Sequence, residues 1–227
     1  MSDYVIAIPA TLTVQQKLDH FFVAALEKKS EGTPVMYMQI MDEVTDRVIS
    51  LFLLEPAEIA KFSPVMMKIV NFASGLASKT SSSLTAQIFK KGSREQMHNV
   101  AEFWQRILWW APHNDVHAYM AVPIDTAFAT EFYQMSDHCR AGKGKEHADM
   151  GIRLCKRFAD LLIDDLFLAP TEYMGMGMVM RKIVSVGVDA VKKAVHEMIN
   201  KVMKDVTEAQ MAEFVYHYEK MVLARTA

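Results

Sequence analysis

The stretch VDAVKKAVHEMINKVMKDVTEAQMAEFVYHYEKMV, residues 188–222, decides the fold class because it contains two amphipathic helices with a start signal between them. Its apolar residues recur at helical spacing along one face, whereas Lys192, His196 and Lys204 fall on the opposite face. Thr207 and Gln210 have the spacing of a capping box, in which each side chain satisfies a free amide of the first turn. The stretch therefore predicts helices at 188–204 and 208–224.

The same start and stop signals recur along the chain. Ser93 with Gln96 is a second capping box, and Ser63–Pro64 places a proline at a first helical position, where its missing N–H is harmless. We interpret Ser81–Ser83 as a turn before a new helix. The further predicted helices are 13–30, 42–55 (with a start as early as 34), 64–79, 83–91, 94–110, 126–140, 145–168 and 172–186. Only residues 4–8 and 35–40 have strand-like patterns.

These patterns predict an all-α, single-domain multi-helix bundle of about eight to ten helices. A minor two-stranded ribbon near the N-terminus is compatible with them. A chain of 227 residues is long enough to bury a self-sufficient core. We therefore predict one helical domain over 1–227, with a possible division at 112–125, where Pro, Asn, Asp and His interrupt the helical pattern.

Charge and cysteine usage limit the partners and the compartment. Lys and Arg total 25 against 27 for Asp and Glu, so the chain has no excess of basic residues for binding nucleic acid. Cys139 and Cys155 form no C-x-x-C motif, which fits a reducing compartment. No signal peptide and no apolar run of about 20 residues is present. We predict a cytoplasmic protein with no nucleic-acid partner and no membrane span.

No motif points to a cofactor or to a nucleophilic enzyme. The glycine-rich stretches do not complete a P-loop or a dinucleotide-binding fingerprint, and no Gly-x-Ser-x-Gly elbow occurs. We therefore predict no cofactor and no catalytic residues.

A metal site is the alternative hypothesis. Glu95 and His98 have the i, i+3 spacing found in di-iron helical bundles, and Glu102 extends the same face. His113 and His117 have the i, i+4 spacing of a two-histidine ligand pair. The second Glu-x-x-His of the di-iron pattern is missing. The competing interpretation is a solvated polar stripe, because other residues of this helix already supply its core face.

The principal hypothesis rests on methionine and tryptophan. The chain contains 18 methionines, whose flexible side chains suit adaptable apolar surfaces. Trp109 is predicted on the polar face of helix 94–110, where a large aromatic needs a covering partner, and Trp110 follows it. Met174, Met176 and Met178 form a second candidate surface. We predict a non-catalytic binding protein that uses such a surface or pocket for an apolar small molecule or for self-association as a homodimer. The alternative is a di-iron-like enzyme.

Overall fold

The computed structural model of the protein describes residues 4–26, 33–90, 92–110 and 118–225. The described part of the chain is 80% helical and contains eight continuous helices and a small four-stranded antiparallel sheet. The predicted multi-helix bundle is therefore confirmed. No described helix contains a stretch that is both long and apolar enough to cross a membrane.

The two halves of the chain contain the same strands, α-helices and π-helical turns in the same order. The first half runs β1 (Tyr4–Pro9), α1 (Leu12–Leu26), α2 (Thr33–Ile49), a π-helical turn (Ser50–Leu54), α3 (Glu55–Ile59), α4 (Pro64–Phe89), α5 (Arg94–Ile107) and β2 (Leu108–Trp109). The second half runs β3 (Tyr119–Ile124), α6 (Thr126–Arg140), a 3-10 turn (Lys145–His147), α7 (Ala148–Ile163), a π-helical turn (Asp164–Leu168), α8 (Ala169–Tyr173), α9 (Met178–Asp205), α10 (Glu208–Glu219) and β4 (Val222–Ala224). Each π-helical turn continues directly into the next helix, so α2 with α3 and α7 with α8 are continuous.

The sheet shows that this duplication is symmetric. Its strand order is β2-β3-β1-β4, with the homologous strands β1 and β3 paired in the centre. Ile6 of β1 lies opposite Val122, and the equivalent residue of β3, Met120, lies opposite Ile8. Exchanging the two strands reproduces the same register. We name residues 4–110 repeat 1 and residues 118–224 repeat 2, related by an approximate two-fold axis through the β1–β3 pair.

The outer strands and the helices follow the same relation. Leu108 of β2 pairs with Met120, and Val222 of β4 pairs with Ile6, which are matching positions of the two repeats. In the helices, equivalent residues of the two repeats are separated by one constant number of positions in the chain. This holds for the prolines that follow the π-helical turns, for the N-caps of α4 and α9, and for the glutamines of the two capping boxes. These equivalent pairs are Pro56 with Pro170, Ser63 with Gly177 and Gln96 with Gln210.

The central strands form because both of their faces are covered. Ile6 and Ile8 enter the main core, whereas Val5 and Ala7 pack on the other face of the sheet. The sequence of such a strand is a continuous run of apolar residues, without the alternation of apolar and polar residues seen when one face is exposed. Pro123 is tolerated in β3 because β2 pairs only with the first residues of that strand, which leaves the edge beside Pro123 unpaired.

A proline explains the π-helical turn of repeat 1. Pro56 has no N–H, so it cannot donate to the carbonyl of Phe52 four residues earlier. The helix widens, and the Glu55 N–H bonds the Ser50 carbonyl instead. The Tyr218 hydroxyl, which belongs to α10, donates to the Phe52 carbonyl at 2.6 Å. Repeat 2 supplies the hydrogen-bond donor that repeat 1 lacks.

Two predicted helix breaks are wrong. Ser81–Ser83 lies inside α4, where the Ser81 hydroxyl bonds Thr45 of α2 at 2.8 Å and does not form a turn. The predicted break before residue 188 lies inside α9. Position 187 favours glycine, because a Cβ at this position would come within 2.7 Å of Leu84 Cδ1. The glycine permits close helix packing without ending the helix.

Several predicted ends also differ from the structure. The helix predicted at 94–110 ends at Ile107, and the helix predicted to reach 224 ends at Glu219, because the residues that follow join the sheet as β2 and β4. The helix predicted at 172–186 begins at Met178. Residues 35–40 are helical, so the predicted ribbon near the N-terminus is replaced by a sheet that collects strands from both repeats. The single domain with a possible division at 112–125 stays a prediction.

We predict that Tyr218→Phe lowers the free energy of unfolding by about 1–3 kcal/mol, because it removes a buried hydrogen bond to the Phe52 carbonyl, which Pro56 cannot replace. Urea denaturation measures this change. Tyr216→Phe is the matched control, since the Tyr216 hydroxyl has no hydrogen bond within the described residues, and it should change the free energy by less than about 0.5 kcal/mol. Equal effects of the two variants would contradict this account of the π-helical turn.

Candidate ligand-binding cavity between the repeats

A partly enclosed cavity lies between the two repeats. Repeat 1 contributes α2, its π-helical turn and α4, and repeat 2 contributes α7, its π-helical turn, α8 and α9. The lining residues are Met41, Thr45, Val48, Ile49, Phe52, Leu53, Ala77, Thr80, Ser81, Leu84, Thr85, Ile88 and Phe89 from repeat 1, with Ala159, Leu162, Ile163, Phe167, Thr171, Val184, Val188, Val191 and Val195 from repeat 2. Within the described part of the chain, no charged side chain is among them.

The cavity is narrow. Its volume is about 80 Å³, within a wider cleft whose empty space, including the part open to solvent, is about 820 Å³. An apolar cavity of about 150 Å³ holds a benzene ring, so the enclosed part holds only a segment of an alkyl chain, and the rest of a longer ligand lies in the wider cleft. Its walls consist mainly of branched aliphatic and aromatic side chains, which exclude water from such a chain.

The mouth of the cavity lies between α4 and α9. The partly buried lining residues are mostly on these two helices, at Ala77, Thr80, Ser81, Leu84 and Val191, with Ile163 and Phe167 of repeat 2 as the others, and the remaining lining residues are buried. The Leu84 side chain of α4 lies against the backbone of α9 at Gly187. This side chain therefore helps to set the width of the mouth.

The two repeats make opposite ends of the cavity chemically different. In repeat 1, Thr45 and Ser81 hydrogen-bond each other at 2.8 Å. The equivalent positions of repeat 2 are Ala159 and Val195, which carry no polar atom in their side chains. An approximately symmetric cavity therefore has one polar and one apolar end.

The hydroxyl pair leaves an acceptor for a ligand. The Thr45 hydroxyl donates to the Met41 carbonyl at 2.7 Å, so its single hydrogen is used. Ser81 then donates to the Thr45 oxygen, and the lone pairs of the Ser81 oxygen remain available to accept a hydrogen bond. A neutral ligand group with one donor, such as a hydroxyl, fits this end. A carboxylate does not fit, because no cation lines the cavity in the described residues.

The structure places the two candidate tryptophans away from this cavity. Trp109 belongs to β2 and not to a helix, so its predicted position on the polar face of helix 94–110 is wrong. Its ring packs on Tyr119 at a centroid distance of 5.7 Å, beside the small apolar cluster on the outer face of the sheet. Trp110 is 55% exposed.

The three candidate methionines do not form one surface. Met174 and Met176 are buried in the main core, and Met178 at the start of α9 is 87% exposed. The Met174 carbonyl accepts a hydrogen bond from Gln96 at 3.0 Å, which ties this segment to α5. None of the three lines the cavity.

The residues of the metal alternative lie on the surface or outside the described residues. His98 Nε2 and Glu102 Oε1 are 3.5 Å apart, both side chains are about half exposed, and Glu95 is exposed one turn earlier. His113 and His117 lie outside the described residues. The described part of the chain contains no group of three or more His, Cys, Asp and Glu side chains placed to hold a metal ion.

Sequence reasoning missed the cavity for a specific reason. Its polar end depends on Thr45 and Ser81, which are far apart in the chain and meet only because α2 and α4 pack together. The available signal was a run of hydroxyl residues at 80–83 within an otherwise apolar helical pattern. A run of serines is also typical of a turn, so local patterns alone do not assign these residues to a cavity wall.

Neither cysteine takes part in the site. Burial raises the pKa of the Cys139 thiol to about 11, with a further contribution from the Glu208 carboxylate. Burial also raises the pKa of the Cys155 thiol to about 12. Both groups are therefore neutral thiols near neutral pH, packed as small apolar side chains.

Comparisons with known proteins identify no relative of this chain. No protein-family model, no curated protein and no solved structure matches this chain.

We predict that a mild disulfide reagent modifies neither cysteine rapidly in the folded protein. With a pKa of about 11, about one molecule in a thousand carries the Cys139 thiolate at pH 8. Labelling should be slower in the native protein than in urea-unfolded protein by about 100-fold or more. Rapid, stoichiometric labelling of Cys139 in the folded state would contradict its burial.

We predict that His98→Ala changes the free energy of unfolding by about 0.5 kcal/mol or less, because it removes one half-exposed i, i+4 pair. Met97→Ala is the matched control on the same helix, and it should cost about 2–5 kcal/mol because Met97 is buried. Elemental analysis tests the metal alternative in the same samples. Stoichiometric metal that is lost in His98→Ala would support that alternative.

Proposed function

We propose that this protein binds a slim, neutral, mainly aliphatic molecule in the cavity between its repeats, with a hydroxyl-like end of the ligand at Ser81. The observation that carries the proposal is the cavity lining, which is apolar except for hydroxyl groups and polarised from one end to the other. Burying an alkyl chain in such a space contributes roughly 0.8 kcal/mol for each CH₂ group.

The lining chemistry favours binding over catalysis. Within the described residues it contains no carboxylate, imidazole, amine or thiol that can act as an acid, a base or a nucleophile. The Thr171 hydroxyl donates to the Leu168 carbonyl at 2.6 Å, which occupies its hydrogen within the helix. Self-association as a homodimer and a cytoplasmic location stay predictions from the sequence.

Filling the cavity tests the proposal. Ala77→Leu adds a branched side chain at the mouth, and Ala159→Leu adds one at the apolar end. We expect the unmodified protein to bind 1-decanol saturably by isothermal titration calorimetry. Each filled variant should bind it at least about tenfold more weakly, because the added carbon atoms occupy the space of the alkyl chain.

The control separates this effect from a general effect on α4. Ala86→Leu makes the same change on the exposed face of that helix, and it should bind 1-decanol like the unmodified protein. The absence of saturable binding, or equal weakening in Ala77→Leu and Ala86→Leu, would contradict the proposal. Two filled variants are used so that a folding defect in one of them leaves the other informative.

A second pair of ligands tests the polar end. A methyl ether of the same length as 1-decanol keeps the alkyl chain but has no hydrogen to donate to Ser81. The alcohol should bind roughly 2–10-fold better, which corresponds to one neutral hydrogen bond. Ser81→Val, which copies the residue found at the equivalent position in repeat 2, should abolish the preference and retain binding. An unchanged preference would place the hydroxyl elsewhere.

A further inference from the structure

An apolar stripe runs along the outside of α4, with two exposed residues, Val65 and Phe72, and two partly buried ones, Ile69 and Leu76. Val65, Ile69, Phe72 and Leu76 have the spacing of one helix face. This face is distinct from the core face, which contains buried residues such as Val70. Val65 is 69% exposed and Phe72 is 72% exposed. Side chains of this size rarely remain so exposed along one line unless a partner or a lipid surface covers them.

Repeat 2 carries the same stripe at equivalent positions. Val179, Ile183, Val186 and Ala190 of α9 correspond in order to the four residues of α4. Val179 is 76% exposed and Val186 is 62% exposed. The stripe therefore occurs twice in one molecule, on the two helices that pack against each other across the repeat boundary.

Lysines border both stripes at matching positions. Lys68 and Lys79 lie at i−4 and i+7 relative to Phe72, and Lys182 and Lys193 have the same spacing relative to Val186. All four lysines are exposed. No acidic residue occurs in α4, and Asp189 is the one acid in the part of α9 that carries the stripe. The combined face is apolar with a basic border.

We propose that this face, formed by the two stripes and their four lysines, docks on an anionic lipid surface. Apolar side chains enter the boundary between headgroups and acyl chains, while the lysines extend to anionic headgroups. A second copy of the chain is a poorer partner, because an isologous contact between two such faces brings their lysine borders together.

The position of the face suits the cavity beneath it. Leu76 and Lys79 of the face are chain neighbours of Ala77 and Thr80, which lie at the mouth. On α9, Ala190 of the face precedes Val191 of the mouth. A protein docked through this face presents the mouth close to the lipid. Docking goes beyond the proposed ligand binding, and each is tested without the other.

Vesicle flotation tests the docking. The full chain is mixed with vesicles of phosphatidylcholine alone or of phosphatidylcholine with phosphatidylserine. We expect partitioning into the mixed vesicles to be at least about tenfold stronger, because about 1 kcal/mol for each lysine near an anionic surface corresponds to a several-fold gain. Raising the salt from about 0.1 M to about 1 M shortens the Debye length from about 10 to about 3 Å and should release the protein.

Two double variants and their controls identify the face. Phe72→Ser with Val186→Ser should abolish flotation, and the control Leu12→Ser with Val35→Ser removes two exposed apolar residues elsewhere without effect. Lys68→Gln with Lys182→Gln should weaken binding to the mixed vesicles about tenfold or more. Its control, Lys143→Gln with Lys201→Gln, removes the same charge from other exposed positions and should not weaken binding.

The outcomes separate the lipid from a second copy. Flotation that is lost in the face variants and kept in the controls supports the proposal. Equal flotation in all variants, or no flotation of the unmodified protein, overturns it. A dimer in sedimentation that Phe72→Ser with Val186→Ser converts to monomer assigns the face to a second copy and also overturns it. Binding of 1-decanol without vesicles, measured in the same variants, reports separately on the cavity.

Discussion

The antiparallel pairing of β1 with β3 is the constraint on which the rest of the structure depends. Every residue of one strand has a partner in the other, and Ile6 and Val122 at the centre are fully buried. A slip of one residue would move Ile6 and Ile8 from the main core to the opposite face of the sheet, so burial specifies the register strongly. Because α1 and α6 follow these strands directly, the same register fixes the relative placement of the two repeats.

A second contact between the repeats, that of α4 with α9, creates the cavity. The side chains at this boundary need not be identical in the two repeats. Their differences make the two ends of the cavity chemically different. Thr45 and Ser81 of repeat 1 place a hydrogen-bonded hydroxyl pair where repeat 2 has Ala159 and Val195. Duplication therefore supplies the symmetric walls, and substitution within one repeat supplies the chemistry that distinguishes the ends.

Local signals predicted much of the fold. The capping boxes at Ser93 and Thr207 marked true helix starts, because a cap depends on residues that are neighbours in the chain. Other features depend on contacts between distant residues. Gly187 resembled a break because sequence alone does not show the Leu84 side chain that needs the space.

The duplication itself was not predicted, since the two repeats share spacing and burial pattern more than residue identity. Trp109 was misplaced because the chain leaves α5 to pair with β3, a partner that local periodicity does not reveal. The candidate site was missed for the same reason, since its polar end depends on the packing of α2 against α4.

The central claim is that an aliphatic ligand occupies the space between α4 and α9. The most direct measurement is photocrosslinking with a 1-decanol analogue that carries a diazirine on its alkyl chain, followed by mass spectrometry of the labelled peptides. The account predicts labels confined to lining residues such as Leu84 and Ile88 on α4 and Val184, Val188 and Val195 on α9. Labels concentrated at Trp109 and Trp110, or spread over the exposed surface with none on the cavity walls, would contradict it.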